Sequence, residues 1–193
     1  MKLVPTALAE VVEIQPTRHG DERGWFSEIF RSDVLADAGL DTDFVQDNES
    51  FSATSGTLRG IHYQLPPHAQ VKLVRVIRGA VLDVAVDLRR ESPTFGDHVA
   101  VILTADSGNQ LLVPAGFGHA FLTLERDTQV GYKVSAPYDP ERERSVRWDD
   151  PALGIDWPLA GDIPVLSARD AVAPLLADQP DLFDPPTGQE SSS

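Results

Sequence analysis

At 193 residues with 41% hydrophobic and 24% charged side chains, the chain is long enough for one domain with a sizeable core and too apolar to be disordered. Cys is absent, which excludes a disulfide framework, a thiolate nucleophile and Cys-ligated zinc or iron–sulfur clusters. Acidic residues outnumber basic ones 30 to 16, for a net charge of −14, so neither nucleic acid nor an anionic membrane is expected as a partner.

In chain order, residues 1–14 carry Pro5, Glu10 and Glu13 and lack the apolar run of a secretion signal. No stretch approaches the ~20 apolar residues of a membrane span, so a cytoplasmic location is expected. The first predicted element is a helix over 32–38, with Ser32 as N-cap and Gly39 as its stop. Residues 71–77 (VKLVRVI) and 81–88 (VLDVAVDL) are β-branched runs separated by Arg78-Gly79-Ala80, which reads as a hairpin. Both faces of 71–77 are aliphatic, which suggests that a partner subunit covers the outer one. Further strands are predicted at His98–Thr104, Gln110–Val113 and 129–134. With 15 Pro and 14 Gly marking tight turns, these short strands predict an all-β sandwich or barrel. A single domain is expected over 1–177. The Pro-, Asp- and Ser-rich segment 178–193 is expected to be a flexible tail.

Two segments carry the chemistry. In GTLRGIHYQ, Gly56 precedes His62 and Gln64; in GNQLLVPAGFGH, Gly108 leads to Pro114, Gly116 and His119. Together they resemble the two cupin motifs, which usually supply three His and one Glu to a metal. Here Gln64 stands at a histidine position and no Glu follows in the expected window, so the donors suit a divalent ion poorly. His68 could replace the missing imidazole, but Pro66-Pro67-His68-Ala69 reads as a surface turn. Strand alternation sets Lys72 on one side with Val74 and Val76. It serves there either as an edge-strand gatekeeper or as an inward cation awaiting negative charge, and spacing does not separate the two.

The resemblance then narrows. Segments 21–28 (DERGWFSE), 44–64, 70–96, 113–121, 132–140, 148–158 and 166–170 resemble the dTDP-4-dehydrorhamnose 3,5-epimerase family, in order and at family-like spacing. The resemblance implies a cupin-type double-stranded β-helix, or jelly-roll barrel, with a few short helices. It also implies a homodimer in which N-terminal strands reach the neighbour's site, no cofactor, and a dTDP-4-keto-6-deoxyhexose substrate. The C4 ketone acidifies the protons at C3 and C5, so inversion needs a base, a group to steady the enolate oxygen and an acid on the opposite face. By resemblance His62 is the base, oriented by Asp170. Lys72 stabilises the enolate and Tyr132 is the acid. The family's substrate-binding positions fall on Arg23, Glu28, Gln46, Asp47, Asn48, Arg59, His119, Glu143 and Arg169, and Phe26 is a candidate to stack on thymine.

Other residues have plainer readings. Asp170 could merely cap a helix, and Phe26 could be a core aromatic. His19 and His98 read as surface residues. Asp83 and Asp87 are expected to be solvated or hydrogen-bonded structural residues rather than a catalytic pair, and Arg142, Arg144 and Arg147 to form a surface ion network of little energetic weight. Ala120 stands where the family usually has Gly, and its methyl is expected to alter the pocket floor beside His119. The alternatives to a 3,5-epimerase are a single-centre epimerase, a metal-dependent cupin enzyme and a non-catalytic sugar-nucleotide-binding barrel.

Overall fold

A computed structural model describes residues 1–40, 42–159 and 161–184. Its strands are β1 (Lys2–Pro5), β2 (Val12–Gln15), β3 (Arg18–Asp21), β4 (Gly24–Ser27), β5 (Gln46–Ser52), β6 (Leu58–Gln64) and β7 (Lys72–Arg78). They continue with β8 (Ala80–Asp87), β9 (His98–Thr104), β10 (Gln110–Val113), β11 (Phe117–Thr123), β12 (Thr128–Val134) and β13 (Glu143–Ser145). One helix, α1 (Ser32–Asp37), lies between β4 and β5. A six-stranded sheet runs β1-β2-β10-β7-β12-β5 and a five-stranded sheet runs β13-β6-β11-β8-β9, while β3 and β4 form a separate ribbon. Strand pairs within the sheets are antiparallel, and the two sheets face each other as a cupin-type jelly roll.

Alternation along the strands builds the interior. Val74, Val76, Leu111, Val113 and Val130 of the first sheet meet Val81, Ala85, Leu103, Phe117 and Phe121 of the second in one buried cluster. Strands β7 and β8 are adjacent in sequence but belong to different sheets, which corrects the predicted hairpin. At Gly79 (φ 81°) the chain turns the corner between sheets, and a Cβ there would lie 2.4 Å from the Thr128 hydroxyl. The corner therefore requires glycine.

The outer faces are covered largely by the chain itself. Leu73 packs with Leu35 of α1 and with Phe30, Leu40 and Phe44, so no partner is needed over that part of β7. Ile77, further along the same face, is 37% exposed. Helix α1 begins one residue earlier than expected: Arg31 occupies the N-cap without a side-chain bond, and Ser32 lies inside the first turn. Its end is a Schellman turn, with Gly39 N–H donating to Ala36 O, Leu40 N–H to Leu35 O, and Gly39 at φ 75°.

The second sheet's outer face is sealed by Val146, Leu153, Leu176 and Leu182 against Ile61, Tyr63, Val84 and Val86. This corrects the expectation of a loose segment from residue 178. Gln179 donates to the Ser145 carbonyl at 2.8 Å, Leu182 is buried, and Phe183 forms a β-bridge with Arg89. Polar contacts add to this, with the Tyr63 hydroxyl donating to the Asp181 carbonyl and Arg144 paired with the Asp181 carboxylate. The remainder of the predicted tail, 185–193, lies outside the described residues.

Candidate active site

Strand β7 is internal to its sheet, flanked by β10 and β12, which removes the gatekeeper reading of Lys72. Its ammonium points inward at 8% exposure and donates to the His62 carbonyl at 3.3 Å. Burial lowers the Lys72 pKa from 10.5 to about 8, against the opposing pull of Glu143 and Asp83.

His62, on β6, is hydrogen-bonded through Nε2 to Asp170 Oδ1 at 2.5 Å. Asp170 is 3% exposed. Burial would raise its pKa, but the His62 contact and the Ser167 hydroxyl bring it below the ordinary carboxylate value. The Ser167 hydroxyl accepts from the Asp170 backbone N–H. Asp170 opens a one-turn 3-10 segment, Asp170–Val172, but its carboxylate serves His62, so it is more than a cap. With Nε2–H given to the carboxylate, Nδ1 keeps the basic lone pair.

Two cavities meet at these groups. One, of about 420 Å³, lies beside Ser50, Arg59, His119, Phe121, Leu166 and Ser167. The other, of about 250 Å³, lies beside Gln46, Asn48, Gln70, Tyr138 and Glu143. His62, Lys72 and Tyr132 line both. A larger cavity of about 680 Å³ lies elsewhere, around Leu8, Arg89 and Phe183, and contains none of these groups. Tyr132 comes from β12, and burial raises its phenol pKa above the usual 10, so it remains a protonated acid at neutral pH. A cation, an imidazole oriented by a carboxylate and a neutral phenol around one cleft equip it to exchange protons on carbon acids.

His119 sits opposite His62 across β11 and β6. Its Nε2 lies 3.0 Å from both oxygens of Asp83, which is completely buried on β8. Of its two expected readings Asp83 takes the hydrogen-bonded one, and its partner, His119, is hidden from sequence because the contact depends on the pairing of β8 with β11. Asp87 is structural, held by Arg89, Ser92 and Thr94. Glu143 accepts from Tyr138 at 2.7 Å and from Arg169. Burial pushes its pKa up, but these two donors outweigh that and leave it lowered. Tyr138 was not singled out from sequence, although it lay within a segment that carries the family resemblance.

The metal-binding cupin positions are otherwise engaged. The Gln64 amide donates to the His68 and Pro137 carbonyls and accepts from Asp139 N–H. His68 pairs with Asp139 on the surface. Among the described residues, no group of three or more His, Asp or Glu could hold an ion.

A family model described as dTDP-4-dehydrorhamnose 3,5-epimerase matches residues 5–178. The chain belongs to the dTDP-4-dehydrorhamnose 3,5-epimerase family. A dTDP-4-dehydrorhamnose 3,5-epimerase from Sinorhizobium fredii is 51% identical over 177 residues, covering 92% of this chain and 90% of the relative. The Legionella pneumophila dTDP-6-deoxy-D-glucose-3,5-epimerase, solved with dTDP-4-keto-L-rhamnose, superposes with a TM-score of 0.86 at 44% identity, covering 91% and 93% of the two chains. ChmJ, a 3′-monoepimerase from Streptomyces bikiniensis solved with dTDP-quinovose, gives 0.83 at 43% identity, covering 90% and 87%.

Not every candidate of this 3,5-epimerase family member reaches the cleft. Strand alternation turns Asp47 outward from β5, where it pairs with Lys133 at 2.9 Å, while its neighbours Gln46 and Asn48 point in. Arg23 and Phe26, on the β3–β4 ribbon, have an 89% exposed side chain and 67% residue exposure respectively. With Glu28, they line neither lobe of the cleft, and Phe26 is no core aromatic. Ala120 is buried on the face of β11 opposite His119, in the outer cluster with Ile61 and Val84. It pairs with Val84 of β8, so its methyl does not reach the pocket floor.

Proposed function

We propose that the chain epimerises dTDP-4-dehydro-6-deoxy-D-glucose at C3 and C5 to give dTDP-4-dehydro-L-rhamnose. The observation that carries this reading is the convergence of His62, Lys72 and Tyr132 at the junction of the two lobes. His62 Nδ1 takes the proton from the carbon next to the C4 ketone, and the bonding electrons move onto the C4 oxygen as an enolate. The Lys72 ammonium stabilises that oxygen. Tyr132 then returns a proton to the opposite face of the same carbon, and the ketone re-forms. A C–H bond is broken and remade with no net redox change, so the reaction requires no redox cofactor. Each well-placed acid or base contributes about 10²–10⁴-fold. The Asp170 carboxylate holds His62 in the reactive tautomer and stabilises its imidazolium.

The same proposal assigns Gln46, Asn48, Arg59, His119, Glu143 and Arg169 to holding the nucleotide sugar. Arg59 and Arg169 offer forked donors to the diphosphate in a protein that is negative overall. It also takes the working unit as a homodimer in which Arg23, Phe26 and Glu28 enter the partner's cleft. Support comes from their exposure on a ribbon outside their own cleft. No described helix is long and apolar enough to cross a membrane, and a charged nucleotide sugar does not cross a bilayer unaided, which supports a cytoplasmic site of action.

Incubation with dTDP-4-keto-6-deoxyglucose in deuterated water, followed by reduction of the product, tests the reading. Deuterium at both C3 and C5 with an L-rhamno product is expected. Label and inversion at C3 alone would make it a single-centre epimerase, and turnover abolished by a chelator would reassign it to metal-dependent chemistry. Binding without turnover would leave a non-catalytic barrel.

A further inference from the structure

We infer that Arg18 is a positioning residue for substrate binding, acting not on its own cleft but on the cleft its ribbon reaches. This rests on the proposed dimer and adds to it the element that fixes the ribbon's reach. Arg18 opens β3, opposite Ser27 of β4. Its guanidinium donates to the Ala105 carbonyl at 2.6 Å and to the Asp106 carbonyl, both on the turn that joins β9 to β10. The same guanidinium lies over the indole of Trp25, 4.0 Å from the ring centre.

The turn is shaped to receive it. Gly108 stands at φ 66°, and a Cβ there would lie 2.9 Å from one Arg18 nitrogen. Arg18 is therefore held by two carbonyls and the glycine backbone on the barrel side, and by an aromatic face on the ribbon side. An Arg fork and a flat cation–π surface suit this arrangement, and a Lys provides neither in the same geometry.

The chain on either side of the ribbon is tied by Met1 N–H to the Thr17 hydroxyl and by the Gln110 amide to the Ile29 carbonyl, but the ribbon itself lies open to solvent, with Trp25 59% exposed and Phe26 67%. Its tip carries Arg23, whose side chain turns back onto Asp21 of the same ribbon. A two-stranded ribbon is marginally stable by itself, so its angle to the barrel depends on this anchor. Misaiming it would displace Arg23 and Phe26 from the nucleotide while leaving His62, Lys72 and Tyr132 in place.

Arg18→Met, which removes the donors and keeps the aliphatic stem, should raise KM for the dTDP-keto sugar and Kd for dTDP by about 10–100-fold, the scale of losing charged hydrogen bonds. Its kcat should stay within a few-fold of wild type, and Arg18→Lys should recover part of the loss. The decisive readout is a mixed dimer, co-expressed with two affinity tags, of one Arg18→Met subunit and one His62→Ala subunit. If Arg18 acts across the interface, one cleft combines an intact His62 with a correctly held ribbon, because a two-fold dimer pairs each cleft with the other subunit's ribbon. The mixed dimer should then show wild-type KM and about half the wild-type kcat.

A KM that remains raised in this dimer, while an Arg23→Ala and His62→Ala mixture recovers, overturns the inference and leaves the dimer reading intact. A monomeric wild type overturns both. Should the wild type bind dTDP without turnover, the catalytic reading falls alone. The mixed dimer must then still show one wild-type dTDP site by calorimetry, and its absence overturns the inference.

Discussion

Replacing Lys72 by Met should stabilise the fold while removing activity. A buried ammonium whose pKa falls from 10.5 to about 8 is held by the folded protein less well than by water by roughly 3 kcal/mol, at ~1.4 kcal/mol per tenfold in proton affinity. Met has a similar length and no charge to desolvate. Against this gain stands the lost hydrogen bond to the His62 carbonyl, while the favourable fields of Glu143 and Asp83 are already included in the lowered pKa, so the net expectation is a gain of about 1–2 kcal/mol. The sign of the pH dependence follows from the direction of the shift. The folded pKa lies below the unfolded one, so the penalty is fully present below about pH 8 and fades as pH rises toward 10.5. Urea denaturation at pH 7 should place Lys72→Met above wild type, and the gap should close by pH 10. Turnover should fall by about 10²–10³-fold, the scale of losing one preorganised donor at a developing oxyanion. A variant that is less stable than wild type, or a gap that does not change between pH 7 and 10, would refute the claim that Lys72 is a desolvated cation. Retained turnover would refute its role at the enolate.

Four further outcomes follow. For wild type, kcat/KM should decline above about pH 8 as Lys72 loses its proton, which a pH–rate profile of the free enzyme reads directly. Tyr132→Phe should lower kcat by about 10²-fold or more, yet retain solvent deuterium exchange at the substrate carbon, since His62 can still remove and return a proton on one face; mass spectrometry of recovered substrate detects this. Asp170→Asn should cost about 10–150-fold in kcat/KM, the scale of a charge-assisted hydrogen bond. Because the folded Asp170 pKa is lowered, its contribution to stability is present above the ordinary carboxylate value, ~3.9, and lost as pH falls through the folded pKa. Denaturation curves of wild type and variant should therefore converge in acid. Ala120→Gly should destabilise by about 1–2 kcal/mol, from a lost buried methyl and added chain freedom, with kcat and KM unchanged; an altered KM would mean that the methyl reaches the pocket after all.

What the sequence disclosed, and what it hid, divides along the reach of local information. The extents of β9 and β10 were readable because each is a β-branched or apolar run bounded by turn residues. The roles of β7 and β8 were not, because a hairpin and a corner between sheets share the same signal of two apolar runs around a glycine. Only Thr128, arriving from some fifty residues downstream to press on Gly79, separates the two. Lys72 shows the same limit. Its neighbours are identical whether its strand lies at an edge or in the middle, and the choice is made by β10 and β12 on either side.

The site follows this division more sharply. That His62, Lys72, Tyr132 and Asp170 gather at one cleft was legible through motif resemblance, but the place of Asp83 was not, because its contact with His119 exists only once β8 lies beside β11. Alternation should have separated Asp47 from Gln46 and Asn48 without any structure, since consecutive residues of a strand face opposite ways. It should likewise have placed Ala120 away from His119. In an antiparallel barrel, residues two apart on a strand share a face: Gln46 and Asn48 border one lobe, while Asp47 between them is exposed and pairs with Lys133. That constraint also explains why the cleft is lined by alternate residues of several strands, Gln46 and Asn48 of β5, His62 and Gln64 of β6, Lys72 of β7, His119 and Phe121 of β11 and Tyr132 of β12, held in place by the packing between the two sheets.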